Sequence, residues 1–175
     1  MRTAPRVLAR ATVGAAACAI ALMVGGGARA GEPGASGLGV NVFGFSRHLD
    51  VSDRSTLREF NPGAGLQWRL ARSSRASLDG NVGVYQDSYG HANWHLSLGA
   101  RVRLLGPLSA GAQLISAVSP SLNDGYPVLT PYPIATLDLP RFDLHLTYIP
   151  AVRSFNGLAT IATFATLYPW GHGEA

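Results

Sequence analysis

From residue 38 onward, apolar and polar residues alternate in short segments that are separated by turn-forming residues. A period of two is typical of β-strands, because successive side chains of a strand point to opposite faces of the sheet. The clearest segment is 93–104, in which Trp94 and Leu96 begin an apolar face and His95 and Ser97 begin a polar one. The chain is therefore predicted to be all-β, with eight antiparallel strands at 38–48, 63–71, 78–87, 93–104, 108–118, 127–139, 141–149 and 158–170.

Residues 1–30 have the features of a secretory signal peptide. Arginines precede an uncharged apolar stretch at 11–24, and Ala28-Arg29-Ala30 fits a cleavage site. The apolar stretch is shorter than the ~20 residues that a membrane-spanning helix needs, so a retained membrane anchor is the weaker alternative. We expect signal cleavage before Gly31, a short flexible leader at 31–37, a β-barrel domain at 38–170 and a C-terminal tail at 171–175.

Signal cleavage also changes the charge and the thiol content. The whole chain has 14 arginines and 10 acidic residues, and four of the arginines lie in residues 1–30, so the mature chain would carry ten of each. The high pI therefore gives no reason to expect nucleic-acid binding. The single cysteine, Cys18, lies in the signal, and no pair of histidines is interpreted as a metal site. No disulfide, metal or cofactor is expected.

Eight exported strands fit either a soluble β-sandwich or an outer-membrane β-barrel, which faces apolar residues to lipid and polar residues to its lumen. Aromatic residues near the strand ends favour the membrane, because aromatic belts mark membrane–water interfaces. These aromatic residues are Trp68, Trp94, Tyr148, Tyr168 and Trp170. We therefore predict a monomeric, eight-stranded antiparallel barrel in the bacterial outer membrane.

Two prolines, Pro131 and Pro133, fall inside the sixth predicted strand. Proline removes a ladder donor, and unpaired backbone is costly in lipid. Either the strand begins only after Pro133, or the barrel has a lateral opening there through which a lipid chain passes.

Bacterial barrels place both termini in the periplasm, so His48, Asp87, Ser88 and Pro150 fall at one end of the barrel, which we call the outer rim. Ser88 could be a nucleophile, His48 its base and Asp87 an orienting or acidic group, as in acyl transfer. Because neighbouring strand residues point apart, Asp87 and Ser88 can cooperate only if the strand ends or bulges there. Simple turn chemistry is the alternative, and His91 could replace His48.

Two further histidines, His95 and His145, lie on predicted lumen faces. There, hydrogen bonding with Asp143 or Arg101 is the expected role.

Three segments occur in order along the chain. They are His48 followed by 59–65, then 83–89 with Gly99 twelve residues after Asp87, and finally 126–131 leading to 146–150. In order and spacing they resemble the PagP family of outer-membrane lipid A palmitoyltransferases, over about residues 40–151. The short leader at 31–37 departs from the amphipathic helix with which that family typically begins.

The resemblance implies an enzyme that moves a palmitoyl-like chain from a phospholipid donor to a lipid A acceptor at the outer rim. The matching positions are the catalytic His48, Asp87 and Ser88, Gly99 at the floor of the acyl-chain pocket, and Pro62 and Pro150, which interrupt pairing where lipids enter. In this family the missing side chain at the floor sets the length of the chain.

Two other functions stay open. A catalytically inactive structural or interaction barrel would have its lumen plugged by side chains, namely Arg69, Arg101, Arg103, Asp143 and His145, whereas a chain-accepting cavity below Gly99 would argue against it. A lipid A deacylase would use a late His-x-Ser pair, which the sequence lacks.

Overall fold

A computed structural model describes residues 37–49, 51, 56–152 and 157–170. The predicted signal peptide and tail, and all of the predicted leader except Gly37, lie outside the described residues. The described chain forms one closed barrel of eight antiparallel strands, in which each strand pairs with its neighbours in sequence and β8 pairs with β1. The predicted all-β, eight-stranded barrel is confirmed, and the sandwich alternative is wrong.

The strands are β1 Leu38–His48, β2 Phe60–Arg72, β3 Ala76–Gln86, β4 Ala92–Leu105, β5 Leu108–Val118, β6 Val128–Asp138, β7 Phe142–Ile149 and β8 Thr160–Leu167. A short 3-10 turn, Asn123–Gly125, lies in the loop between β5 and β6. Over the part of the chain that the structure describes, no helix is long and apolar enough to cross a membrane.

Apolar side chains cover the outer surface of the barrel, and polar side chains face its lumen. On β4, Trp94 and Leu96 are 62% and 56% exposed on the outside, whereas His95 and Ser97 are buried in the lumen. A sheet in water would instead bury its apolar face. An apolar outside and a polar inside are compatible with an outer-membrane barrel.

The predicted aromatic belt is only partly correct. Trp94, Tyr148 and Trp170 are exposed. Tyr168, however, is 1% exposed, and its hydroxyl lies in the lumen, 2.7 Å from Nε2 of Gln67. The prediction for Tyr168 is wrong because the two faces of the last strand are similarly rich in Thr and Ala, so hydropathy could not show which face points inward.

A network of paired charges crosses the lumen toward the end opposite the outer rim, which we call the inner end. The Arg101 guanidinium donates to Asp79 at 2.9 Å and to Asp138 at 3.0 Å, and Arg69 donates to the other oxygen of Asp79 at 3.0 Å. Such pairing offsets the cost of removing these charges from water. We call the set Arg69, Asp79, Arg101, Asp138, Asp143 and Tyr168 the lumen plug.

The sheet is incompletely paired between β6 and β7. Strand β6 pairs with β5 along most of its length, with Pro131 and Pro133 included, but with β7 only over residues 134–138. Thr147 Oγ1 donates to the carbonyl of Pro133 at 2.8 Å, so the backbone of Pro133 faces β7. The N–H and C=O of one residue in an antiparallel strand point to the same neighbour, so both prolines remove donors on the β7 side.

The idea that β6 begins only after Pro133 is therefore wrong. The strand starts at Val128, and its outer half lacks a paired ladder to β7 within the described strands. We call this unpaired stretch the β6–β7 gap.

Candidate functional site

A cavity of about 210 Å³ occupies the outer half of the lumen and reaches the outer rim. Aromatic and aliphatic side chains form much of its wall, among them Phe43, Tyr85, Ile115, Tyr132 and Phe164. His48, Asp87 and Ser88 line the same cavity at the rim. All three predicted catalytic residues therefore line one cavity.

A bulge in β1 turns His48 into the lumen. In the pairing of β1 with β8, Phe43 opposes Phe164 but Phe45 opposes Thr163, so Gly44 is an extra residue. A bulge of one residue reverses the alternation of side chains beyond it. His48 is consequently buried, at 6% exposed, on the lumen side.

The turn after β3 presents both Asp87 and Ser88 to the site. The strand ends at Gln86, and the N–H of Gly90 donates to the carbonyl of Asp87 at 2.9 Å. Gly90 has a φ of 90°, a conformation that glycine adopts without strain. The predicted condition, that the strand ends before the two residues, is met.

Two polar side chains surround the hydroxyl of Ser88. Its Oγ lies 3.4 Å from Oγ of Ser46 and 3.5 Å from Nδ2 of Asn61, and Ser46 donates to Asn61 Oδ1 at 2.6 Å. The two contacts of Ser88 are long, so its oxygen is only weakly held. Neither Asn61 nor Ser46 is among the predicted site residues, and only the bulge at Gly44 turns Ser46 inward.

Four donors surround the carboxylate of Asp87. One oxygen accepts from the backbone N–H groups of Tyr89 and His91, at 3.0 and 2.9 Å, and the other accepts from the hydroxyls of Ser119 and Ser121. Burial alone would raise the pKa of Asp87, but these hydrogen bonds together bring the pKa below its ordinary value. Asp87 therefore stays ionised and ties the β3–β4 turn to the β5–β6 loop.

The other rim histidine, His91, has a more exposed position. Its Nδ1 lies 4.0 Å from the Asp87 carboxylate, and its side chain is 52% exposed. Its ring lies outside the cavity wall, so His48 is the better placed base.

The two lumen histidines face inward as predicted, but with other partners. His95 Nε2 lies 3.2 Å from Oδ1 of Asn81. The nitrogens of His145 lie 3.0 and 2.9 Å from the hydroxyls of Thr136 and Thr166. The predicted partners, Asp143 and Arg101, instead belong to the lumen plug, whose charges bond to one another.

Gly99 lies on β4 where the cavity meets the lumen plug. It borders a pocket of only about 20 Å³, together with Ser97 above it and Arg101 below it. A methyl group added at Gly99 would meet Gln113 Cβ at 3.4 Å, so alanine would fit and a longer side chain would extend into the lumen. The cavity lies on the rim side of Gly99. On the other side, charged side chains of the lumen plug cross the lumen, and beyond them a separate polar pocket of about 240 Å³ opens at the inner end.

The two predicted prolines both lie at breaks in the ladder. Asn61 and Pro62 together oppose Gly44, where the pairing of β1 with β2 changes register. Pro150 follows the last residue of β7, beside the β6–β7 gap.

No group of three His, Cys, Asp or Glu side chains in residues 37–49, 51, 56–152 and 157–170 could hold a metal ion. No protein-family model matches the chain. No curated protein matches it significantly either.

Proposed function

We propose that the protein is an outer-membrane acyltransferase that moves a fatty acyl chain from a phospholipid to lipid A, as the PagP-like motifs imply. One observation carries the proposal: a largely apolar cavity, closed at its inner side by the lumen plug, reaches the rim at His48, Asp87 and Ser88. Such a site can bury a hydrocarbon chain and leave its ester bond beside a serine and a histidine.

The depth of the cavity suits a long acyl chain. The lumen face of β4 runs from Asn93 near the rim to Gly99 at the floor. Six residue steps cover about 20 Å along a strand. With the strand tilt usual in barrels, this gives about 15 Å of depth. A longer side chain at Gly99 would shorten the space, as the resemblance implies.

Ser88 and His48 supply the chemistry in this proposal. Ser88 Oγ attacks the ester carbonyl carbon of the phospholipid while His48 takes the Ser88 proton. The ester C–O bond breaks, and the lysophospholipid leaves with that proton. A lipid A hydroxyl then attacks the acyl group on Ser88, His48 accepts its proton, and the proton returns to Ser88 Oγ as the new ester forms. Asp87 is a positioning residue that fixes the turn carrying Ser88.

The outer surface and the β6–β7 gap support a route for lipids. The apolar outside of the barrel suits acyl chains. The gap interrupts the wall beside the cavity, whose lining includes Tyr132 on β6 and Ile149 on β7. A phospholipid chain moving in the membrane plane would pass from lipid into the cavity there without crossing a hydrogen-bonded ladder.

The test is mass spectrometry of lipid A from a Gram-negative host that expresses the protein, with Ser88→Ala and His48→Ala beside it. We expect a new species heavier by one fatty acyl group, absent from both variants. Ser74→Ala, an exposed serine at the inner end, and His91→Ala are the matched controls and should retain the new species. Heat-modifiable migration of outer-membrane fractions checks that every variant is folded.

A non-catalytic barrel is the second candidate, because four of the five side chains expected to plug its lumen, those of Arg69, Arg101, Asp143 and His145, lie inside it. The fifth, Arg103, is exposed. Unchanged lipid A with a folded wild-type barrel in the outer membrane would favour it. Full activity of Ser88→Ala would remove Ser88 from the mechanism.

A further inference from the structure

The cavity wall contains two buried hydrogen-bond acceptors that have no donor among the described residues. They are Nδ1 of His95 and Oδ1 of Asn93. The two residues are 8% and 5% exposed, and both line the cavity. They lie two residues apart on the lumen face of β4, about 7 Å along the strand.

Neighbouring side chains assign His95 Nδ1 as an acceptor. Asn81 donates through Nδ2 to Gln67 Oε1 at 3.5 Å, so it presents its carbonyl oxygen to His95 Nε2 at 3.2 Å. Nε2 therefore carries the ring hydrogen. In a neutral imidazole the other nitrogen, Nδ1, then has a lone pair and no hydrogen.

The surroundings of this acceptor are aromatic. Phe43 meets the His95 ring edge to face at 5.1 Å between centroids, and Tyr85 lies 5.7 Å away. Both acceptor atoms are already shielded from solvent by the folded wall. An unsubstituted hydrocarbon chain offers them no donor and leaves both unsatisfied, whereas a chain that brings a donor gains the free energy of a buried hydrogen bond.

We propose that the cavity prefers a hydroxylated fatty acyl chain, whose O–H donates to Asn93 Oδ1 or to His95 Nδ1. The inference rests on the proposed function, because it names the kind of chain that the site would hold. A ligand with a cationic donor fits less well, because the described part of the cavity wall offers its charge no free carboxylate. Asp87 is the one acidic residue among the described cavity walls, and its carboxylate already accepts four hydrogen bonds.

The register of β3 and β4 relates the two acceptors to the position of the hydroxyl. Asn93 opposes Tyr85, directly below the rim, whereas His95 opposes Gly83, two residues deeper. A chain whose carboxyl end lies at Ser88 would meet Asn93 with a hydroxyl near the carbonyl. The same chain would meet His95 with a hydroxyl near its middle.

The experiment measures binding rather than transfer, by calorimetric titration of the folded full-length barrel in detergent. The probe pairs are 3-hydroxymyristate against myristate, and 10-hydroxystearate against stearate. We expect at least one hydroxylated member to bind about tenfold more tightly than its plain partner, since its hydroxyl satisfies a buried acceptor. The preference for 3-hydroxymyristate should disappear in Asn93→Leu, and the preference for 10-hydroxystearate in His95→Leu.

Ile115→Val, an apolar change in the same wall, is the control and should keep the preference. A 15N spectrum of labelled histidine adds a second readout for the deeper position, because a donor to Nδ1 shifts that nitrogen and a plain chain does not. Equal affinity within both probe pairs, in the wild-type protein, overturns the inference without depending on any variant.

Transfer assays with the same chains separate this inference from the proposed function. Tighter binding of a hydroxylated chain without any transfer to lipid A would leave the inference standing and remove the transferase function. Transfer to lipid A together with equal affinity for hydroxylated and plain chains would support the transferase function and overturn this inference.

Discussion

Asp87 stabilises the rim through its charge rather than through a partner of opposite sign. Its four donors come from two different loops, two backbone N–H groups in the β3–β4 turn and two serine hydroxyls after β5. An ionised carboxylate accepts hydrogen bonds more strongly than a neutral amide does. The geometry around Ser88 therefore depends on the ionised state of Asp87.

Asp87→Asn keeps the size of the side chain but removes the charge and replaces one acceptor oxygen with a donor. We expect the variant to lose about 1–3 kcal/mol of unfolding free energy at neutral pH. The folded-state pKa of Asp87 lies below the unfolded value of about 3.9. Its stabilisation is therefore present above about pH 4 and is lost as the pH falls through the folded pKa, where the two proteins should converge.

Urea unfolding of the barrel in detergent, followed at several pH values, measures this difference. Asp124→Asn is the matched control, because Asp124 is exposed in the β5–β6 loop and its φ of 54° is one that asparagine tolerates. If the difference in unfolding free energy between the wild type and Asp87→Asn persisted below the folded-state pKa, the charge of Asp87 would not be its cause.

His48, Asp87 and Ser88 could be placed at one end of the barrel from sequence, because strand direction fixes which strand ends meet. Ser119 and Ser121 could not, since serine in a loop is common and nothing local shows that two of them reach a carboxylate from another loop. The same holds for the lumen histidines, whose partners depend on register across the barrel.

At the level of elements, β6 shows how two prolines alter one edge of a strand and leave the other intact. Its ladder to β5 continues past both prolines, and its ladder to β7 stops at Ile134. The two prolines predicted that hydrogen-bonded pairing would be interrupted in β6, but not whether β5 or β7 would lose its pairing. That depends on which way the missing N–H groups point, which the Thr147 bond to Pro133 reveals.

The double substitution Pro131→Ala and Pro133→Ala restores two donors that face β7. We expect both new amide protons to become protected from hydrogen exchange as the ladder extends, and acyl transfer to fall severalfold as the gap closes. Pro127→Ala, which changes a proline just before β6, is the control and should alter neither. Protected amides with undiminished transfer would show that lipids do not pass between β6 and β7.

The bulge at Gly44 is the element that sequence reasoning could not supply. If side chains had alternated regularly after Phe43, His48 would have pointed away from the lumen. A glycine within a strand does not by itself show that a bulge inserts a residue there. Only the pairing with β8 makes the insertion visible.

At the scale of the whole described barrel, the lumen plug separates the largely apolar cavity at the outer rim from a polar pocket of about 240 Å³ at the inner end. The lumen plug at the inner end supplies fixed, mutually paired charges, and the cavity ends where this network begins, at Gly99. Alternation along each strand predicted the barrel because every strand follows the same rule. It did not predict this division of the lumen. Charged residues line one part and aromatic residues the other, and both kinds occupy every second position of a strand, so alternation does not distinguish them.

The outward polarity of the barrel gives a test of the membrane proposal that does not depend on catalysis. Leu96 is 56% exposed on the outer face within β4, whereas Leu105 is 81% exposed at the inner end of that strand. In a bilayer, an arginine costs about 2–4 kcal/mol near the middle and about 0–1 kcal/mol near the interface. In water, both positions would accept arginine at little cost, because each side chain is already largely exposed.

We therefore expect Leu96→Arg to lower the unfolding free energy by about 2 kcal/mol or more in lipid vesicles, and Leu105→Arg to lower it far less. Urea unfolding of both variants from the same vesicles measures the difference. A depth-dependent penalty would follow from a lipid-facing outer surface, since no contact inside the barrel distinguishes the two leucines. Equal and small penalties at both positions would mean that the exposed apolar surface faces something other than lipid, and the transferase proposal would then lose the route by which its substrates reach the β6–β7 gap.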